Sequence, residues 1–308
     1  MPNTITRNQN TVRQLERLAA QRYLYSKAKL ISIVQIILAV PIVIVWSLAI
    51  TFNPDLKVWA AFYGLSIAIL DAAFIDRFIK SLKMQAAKIQ ELFDCDVLHL
   101  DWHTLKLNNK PDAESIEDLS KKLKSKDPEL MTLKDWYPQV VESLPLHMAR
   151  LICQRTNCWW DFNLRRRYCF WSGILLIVAS ILVFFIGLVG EMDMEKFVLA
   201  VLAPLSPAIL LGIREHMQQH DAAERLDRLK SYVEEIWAKA IKNEIALEQI
   251  ERESRAIQDA IFDCRSNNPL IYDRIYRYLR NAQDAQMNKG ANELAEEYFG
   301  SLSRRNNG

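Results

Sequence analysis

Four long apolar stretches, arranged as two pairs, dominate the pattern of hydrophobic and polar positions along the chain. They are Leu30–Phe52, Val58–Ile79, Tyr168–Gly190 and Phe197–Ile213. Their lengths match the roughly 20 residues that a helix needs to cross a bilayer core of about 30 Å. The pattern therefore predicts a mainly α protein with a four-helix transmembrane domain built from two hairpins. The mean hydropathy of only -0.06 hides this, because much of the remaining chain is polar.

The polar stretches between and around the pairs divide the chain into five predicted segments. A mostly helical cytosolic domain is expected to combine the long insert between the hairpins with the C-terminal region. The predicted boundaries are 1–29 for an N-terminal amphipathic helix, 30–79 for the first hairpin, 80–167 for the insert, 168–213 for the second hairpin and 214–308 for the C-terminal region.

Local patterns refine the polar segments. The run Phe93–Leu100 is typical of a strand or an extended segment. Residues 214–263 predict one long helix with a heptad seam, which Asn243 and Ser254 interrupt with polar side chains. The seam predicts packing against a second copy of the chain or another helix of the same chain, and the polar seam positions favour a homo-oligomer. The tail predicts two helical pieces, Pro269–Arg280 and Asn292–Phe299.

The distribution of charge predicts the topology. The turns within the pairs, Asn53–Lys57 and Glu191–Lys196, hold one lysine each, whereas the outer flanks of every apolar stretch are rich in arginine and lysine. Cytoplasmic flanks carry this excess of positive charge. Both termini and the insert are therefore predicted in the cytoplasm. A cleaved signal peptide is not expected, because the first apolar run is too long and lacks a small-residue cleavage site.

The chain offers little for catalysis or metal binding. An odd number of cysteines on the predicted cytoplasmic side indicates reduced thiols. The spacing of Cys153 and Cys158 relative to His147 fits no standard zinc pattern. Asp94 and Asp96 precede two histidines, but on a strand those histidines would point elsewhere. We therefore expect no metal site, no catalytic residues and no enzymatic activity.

The predicted spans contain an acidic residue, Asp71, and three prolines, which are not typical of a regular transmembrane helix. Asp71 is costly near the middle of a bilayer and is a candidate for lining a pore, although it could equally hydrogen-bond to a neighbouring helix. Proline removes a backbone donor and kinks a helix. Pro41, Pro204 and Pro207 are therefore candidate hinges, or simply structural kinks.

Short motifs along nearly the whole chain carry a family resemblance. They include Gln9-Asn10, Leu18–Lys29, Ile89–Asp94, Asp135–Pro138, Cys153–Arg155 and Asn268-Pro269. Together with the placement of the four apolar stretches, they resemble the SMODS-associating four-transmembrane effector family. One motif departs from the family pattern: Gly-Leu-Pro-Trp-Asn is replaced here by His99–His103.

The resemblance implies an antiphage effector in the inner membrane of a bacterium. Its cytosolic domain would bind a cyclic oligonucleotide, a cyclic di- or trinucleotide made by a cognate nucleotidyltransferase. Its oligomeric membrane domain would then permeabilise the membrane and cause abortive infection. Implied partners are membrane lipids and further copies of the chain, with no cofactor and no DNA or RNA polymer. If the departing motif lines the ligand site, the messenger differs from that of relatives.

Binding such a messenger requires cations for phosphates and flat faces for bases. Two regions combine arginine with aromatic side chains, one before the third apolar stretch and one in the 270s. The candidate ligand-binding residues are Trp136, Tyr137, Arg150, Arg155, Trp160, Arg165, Tyr272 and Tyr276. The alternative is that Arg165, with Arg166 and Arg167, meets anionic lipid and that Trp160, with Trp159, belongs to the membrane interface.

Two other functions remain open from the sequence alone. A membrane scaffold or receptor could self-associate through its long cytosolic helix and recruit partners. A small constitutive ion channel would conduct steadily, would depend on Asp71 and would not respond to nucleotides.

Overall fold

The computed structural model describes residues 3–125, 127, 129–189 and 193–306, and this part of the chain is helical without a strand. Its helices are α1 (Ile5–Asn8), α2 (Val12–Ala39), α3 (Pro41–Phe52), α4 (Lys57–Leu70), α5 (Asp76–Leu98), α6 (Thr104–Leu107), α7 (Ala113–Lys124), α8 (Leu146–Val189), α9 (Met194–Phe197), α10 (Ala203–Ile241), α11 (Leu247–Asn267) and α12 (Asp273–Asn306). The predicted mainly α fold is confirmed.

Three helical segments, the first of them kinked at Val40, are long and apolar enough to cross a membrane. They are Val12–Trp46, Lys57–Leu98 and Leu146–Phe185. Large apolar side chains on these segments face outward, as lipid-facing positions require. The fourth predicted span, Phe197–Ile213, is helical throughout, and its crossing of the membrane stays a prediction. Gly190, Glu191 and Met192, in the turn of the second hairpin, lie outside the described residues.

The long helices do not stop where their apolar stretches stop. α2, α5, α8 and α10 all extend into polar sequence, where they pack with α7, α11 and α12. We call the helical parts within 30–79 and 168–213 the apolar bundle, and the remainder the polar bundle. The largest fully buried side chains of the chain belong to the polar bundle: Phe93, Leu98, Tyr137, Leu151 and Ile257 among others.

π-Helical turns lie inside two of the long helices. Asp71–Ile75 joins α4 to α5, and Val198–Leu202 joins α9 to α10. A π turn places one extra residue in a helical turn and is often found at functional sites. The first of the two begins at Asp71, the acidic residue nearest the middle of the second apolar stretch, so the helix changes its winding at that carboxylate.

The predicted strand at Phe93–Leu100 is wrong. α5 continues to Leu98 and ends at His99, which adopts the left-handed conformation (φ 53°) while the Leu100 N–H donates to the Cys95 carbonyl. The reason is burial on all sides. The last turns of α5 pack on α2 and α11 and share one core cluster with α8, so no polar stripe of helical period remains to distinguish helix from strand.

The predicted single helix over 214–263 is also wrong, because α10 ends at Ile241 and α11 begins only at Leu247. Asn243 in the turn has a left-handed backbone (φ 58°) and is exposed, so it is not a buried seam residue. Val233 on α10 and Ile257 on α11 enter one core cluster, which identifies the partner of the seam as the same chain. The tail, predicted as two pieces, is one helix, α12.

The prolines of the spans differ in their effect. Val40, just before Pro41, has φ −120° and ψ −73°, which breaks the helix between α2 and α3. The Tyr63 hydroxyl donates to the Leu38 carbonyl at 2.9 Å, so the neighbouring helix satisfies an acceptor beside the kink. Pro204 lies in the first turn of α10 and Pro207 lies within it without ending the helix. Motion at these three prolines stays a prediction.

The left-handed turn at Asn243 distinguishes two separate helices, α10 and α11, from the single long helix predicted over 214–263. A β-branched side chain in a left-handed conformation costs about 1–2 kcal/mol, whereas a continuous coiled-coil seam would gain stability from isoleucine at the same position. We expect Asn243→Ile to lower the unfolding midpoint of the purified protein and Asn243→Gly to leave it nearly unchanged. Thermal unfolding followed by circular dichroism measures both. A higher midpoint for the isoleucine variant would contradict the observed turn.

Candidate functional site

A buried ionic cluster joins α5 to α11. The carboxylates of Glu91 and Asp94 are fully buried. Arg255 donates to Glu91 at 2.6 Å, and Arg265 forms a short ion pair with Asp94. Gln258 donates to both carboxylates, at 2.9 Å to Glu91 and 2.8 Å to Asp94. Burial, followed by the charge of Asp94, raises the pKa of the Glu91 carboxyl. Losing one arginine would leave a buried charge uncompensated.

Tyr137 connects the same cluster to the segment that precedes α8. Its hydroxyl donates to Asp94 at 2.6 Å and accepts a bond from Asn157 at 3.1 Å. Its ring stacks on Phe93 with the two ring centroids 6.1 Å apart. Burial raises the pKa of Tyr137 well above its ordinary value, so the phenol stays a neutral donor. The cluster therefore fixes the relative position of α5, α8 and α11.

An open, polar cleft lies next to this cluster, between the start of α2 and the end of α5. Its volume is about 510 Å³, and it is open to solvent, unlike the enclosed and mostly apolar pockets that usually bury small molecules. Its lining residues are Asn8, Thr11, Arg13, Gln14, Cys95, Asp96, His99, Leu100 and Asp101. Three of these, His99, Leu100 and Asp101, belong to the motif that departs from the family pattern.

The cleft combines an exposed arginine, which pairs with Asp96, with carboxylate and imidazole acceptors. The Arg13 side chain is 74% exposed and pairs with Asp96 at a distance of 3.9 Å. Because it is exposed, its guanidinium could also bind a phosphate in a bidentate manner. Burial, followed by the nearby guanidinium of Arg150, lowers the pKa of His99, which favours a neutral imidazole. Asp101 supplies a carboxylate that can accept a bond from a base amino group. The cleft thus offers one exposed arginine that could reach a phosphate, beside the carboxylates of Asp96 and Asp101, which could accept bonds from amino groups.

The two helices that form the cleft also meet inside the apolar bundle. α2 and α5 pack along their length, with the start of α2 beside the end of α5. At the other end, Gln35 of α2 donates to the carboxylate of Asp71 at 2.5 Å. The hydrogen bond expected as one alternative for Asp71 is therefore present, and its role as a pore-lining residue stays a prediction.

The predicted ligand residues before α8 make contacts within the protein. The ring of Trp136 packs edge-on against Phe93, and Tyr137 belongs to the ionic cluster. Arg150 is buried and donates through Nε to the Leu98 carbonyl at 2.5 Å, so its positive charge caps the C-terminal end of α5. None of these three residues lines the cleft.

The remaining predicted residues lie along α8 and near the start of α12. Arg155 donates to Glu234 at 2.9 Å, and the Trp160 indole donates to Asp284 at 3.0 Å. Arg165 donates to Gln219 at 2.6 Å, and the Tyr272 hydroxyl lies 3.3 Å from the Ser32 hydroxyl. Tyr276 is on α12, and its side chain lies outside the described ones. The structure spreads these residues over several surfaces instead of one site, and ligand binding by them stays a prediction.

The residues of the cleft that sequence reasoning missed come from the N-terminus. Asn8, Thr11, Arg13 and Gln14 lie around the break between α1 and α2. The signal available in the sequence was Arg13 near the start of a basic helix that has no acidic residue in its first turn. The sequence alone did not place this helix start beside the end of α5, because the two are far apart along the chain.

The structure defines a class of helical membrane protein in which long helices join an apolar bundle to a polar bundle with a cleft. The chain belongs to the SMODS-associating four-transmembrane effectors: the model of the SMODS-associating 4TM effector domain matches residues 3–294. A Bacillus cereus (strain VD146) protein named "Probable CBASS effector molecule" is 26% identical over 286 residues, covering 90% of this chain and 92% of the relative. No solved structure matches the chain.

The ionic cluster predicts a large difference between two arginine substitutions. Arg265→Gln leaves the carboxylate of Asp94 buried without its cation and is expected to cost about 3–5 kcal/mol of stability. The matched control is Arg13→Gln, at an exposed pair worth about 0–1 kcal/mol. Thermal and denaturant unfolding in one detergent would compare the two variants. Equal losses would show that the buried pair does not hold α5 to α11.

Proposed function

We propose that this chain is an antiphage membrane effector that a cyclic oligonucleotide switches from a closed to a membrane-permeabilising state. One observation carries the proposal beyond family membership. The helical segment Lys57–Leu98 holds Asp71 in the apolar bundle and ends at His99 in the cleft. It contains 42 residues, or about 63 Å at 1.5 Å per residue. A shift of its cleft end is therefore transmitted to the apolar bundle.

The cleft is the proposed site of the messenger. A cyclic di- or trinucleotide presents phosphates to Arg13 and to the exposed start of α2, and presents base edges to Asp101 and His99. Occupancy would separate the start of α2 from the end of α5. Because Gln35 of α2 bonds to Asp71 in the π turn that leads into α5, the separation would reach that link. The carboxylate of Asp71 would then be free to face a water-filled path.

The free energy required favours an oligomer. A ligand must prefer the open state by about 5.5 kcal/mol to move its population from 1:99 to 99:1. Several subunits that each bind one messenger and open together can supply this by summing modest preferences. The outward-facing apolar side chains of the spans would contact inner-membrane lipids or further copies. In this proposal both termini and the polar bundle lie in the cytoplasm, where the messenger is made.

Binding of the messenger should stabilise the folded protein. A ligand present at 100 times its dissociation constant stabilises the folded state by about 2.7 kcal/mol. We expect one member of a panel of cyclic di- and trinucleotides to raise the unfolding midpoint of the detergent-purified protein. Arg13→Gln should weaken that ligand about tenfold, because a bond to a charged group contributes about 1.5–3 kcal/mol. The matched control is Arg7→Gln, an exposed arginine on α1 that does not line the cleft.

An unresponsive panel would remove the sensor role and favour the scaffold alternative. Equal losses for the Arg7 and Arg13 variants would instead place the messenger outside the cleft. Titration calorimetry on the two variants distinguishes a local contact from a general effect of positive charge, since the latter weakens with salt for both.

Membrane permeability should depend on the messenger. Liposomes that contain the protein and a trapped dye should leak only after the messenger is added. Leakage that is steady and indifferent to nucleotides, yet altered by Asp71→Asn, would indicate the constitutive channel. No leakage with any bound messenger would indicate the scaffold or receptor.

A further inference from the structure

The connection between α11 and α12 lies where the polar bundle meets the apolar bundle. We call residues 267–273 the α11–α12 loop. Two residues of α2 reach it at the start of the first apolar stretch. Lys29 Nζ pairs with the Asp273 carboxylate at 2.5 Å, and the Ser32 hydroxyl lies 3.3 Å from the Tyr272 hydroxyl. The loop is therefore tied to the first predicted span.

The other three long helices contact the same loop through side-chain donors. Lys83 Nζ on α5 donates to the Asn267 carbonyl at 3.2 Å. An Arg165 guanidinium nitrogen on α8 donates to the Pro269 carbonyl at 3.0 Å. Gln219 Nε2 on α10 donates to the Leu270 carbonyl at 3.0 Å. All four helices that lead from the apolar bundle thus donate to or pair with one short segment. The same four helices also bond to α11, through Tyr25, Asp94, Gln154 and Tyr232, so α11 and the loop that follows it form one shared contact.

Two consecutive apolar side chains add to these bonds. Leu270 packs against the cluster of α2 and α5 that contains Ala28 and Leu82. Ile271 is buried beside Leu164 of α8. The loop therefore fills the space between neighbouring helices and satisfies their polar groups at the level where a pore through the apolar bundle would open into the cytoplasm.

The loop is also connected to the cleft through α11. Arg255 of α11 donates to the Asp101 carbonyl at 2.9 Å and lies 3.4 Å from the Cys95 sulfur, and both residues line the cleft. Near the C-terminal end of α11, Arg265 pairs with Asp94, next to the cleft residue Cys95, and lies two residues before the loop. A change at the cleft therefore acts on the middle and on the C-terminal end of the helix that carries the loop.

We propose that the α11–α12 loop is an autoinhibitory plug, which holds the four long helices together in the closed state and leaves them when the cleft is occupied. The inference rests on the proposed function in one respect, the existence of an open state. It adds that the closed state is held by this loop and that releasing the loop is sufficient for opening. Ligand binding is then needed only to displace it.

The test is dye leakage from liposomes without any nucleotide. Ile271→Asp places a charge among Leu164 and its neighbours, which disfavours the seated loop. We expect ligand-free leakage at least about tenfold above that of the wild type, because a buried unpaired carboxylate strongly disfavours the closed state. Ile271→Val is the conservative counterpart and should stay closed. Circular dichroism and size-exclusion chromatography check that each variant is folded.

A double variant covers the case in which Ile271→Asp does not fold. Lys29→Met with Lys83→Met removes two donors to the loop and keeps the apolar packing. Its matched control, Lys124→Met with Lys230→Met, removes two lysine ion pairs that involve neither the loop nor α11. Higher ligand-free leakage for the first pair supports the plug. Leakage at wild-type level for both folded pairs overturns it.

The two proposals are judged on separate measurements. The plug is decided by leakage of the loop variants without nucleotide. The messenger-gated function is decided by the response of the wild type to the cyclic nucleotides. A wild type that responds while the loop variants stay closed would retain the effector function and discard the plug. Leaky loop variants beside an unresponsive wild type would retain the plug and discard the messenger.

Discussion

The length of the helices relative to the bilayer is the constraint on which the rest of the structure depends. A bilayer core of about 30 Å accommodates about 20 helical residues, whereas the segments that carry apolar stretches here contain 35 to 42 residues. Each therefore lies partly in lipid and partly in water. Within lipid its backbone bonds are satisfied internally. Beyond lipid it must bury a face against partners, and this requirement creates the polar bundle from continuations of the spans themselves.

α11 has a different position, because it carries no apolar stretch and packs across the extensions of α5 and α8. Its contacts are unusually polar for a buried helix. Gln154 of α8 exchanges two hydrogen bonds with Ser254, and the ionic cluster joins its other side to α5. Burying charges contributes little net stability, but removing one partner is costly. Such contacts therefore define one arrangement of the helices and make intermediate arrangements unfavourable.

The parts predictable from the sequence are those set by long, uniform patterns. The apolar stretches and the helices at their flanks follow from period and length, and the family follows from motifs spread over the chain. The strand predicted at Phe93–Leu100 failed because a helix buried on all sides loses its polar face. The long helix over 214–263 failed because one left-handed residue, Asn243, breaks it without proline or glycine.

The candidate site was harder to predict for a related reason. Arginine and tryptophan mark nucleotide sites, but here Arg150 and Trp160 are held by groups distant in sequence, namely the end of α5 and Asp284 of α12. Composition identifies side chains able to bind a ligand, but not whether the fold has already bonded them. The residues of the cleft carry a weaker compositional signal, and only the antiparallel packing of α2 on α5 brings them together.

The cleft and the loop are both connected to α11, and this arrangement suggests how a small ligand could control a large apolar bundle. A ligand in the cleft meets Asp101 and Cys95, which Arg255 bonds, and adjoins Asp94, which Arg265 bonds. Side-chain packing between helices changes in discrete steps and not continuously. If α11 leaves its position on α5, both arginines move with it, and the loop that follows loses its fixed starting point. The four long helices would then lose their shared contact together, which would make opening cooperative within a single subunit.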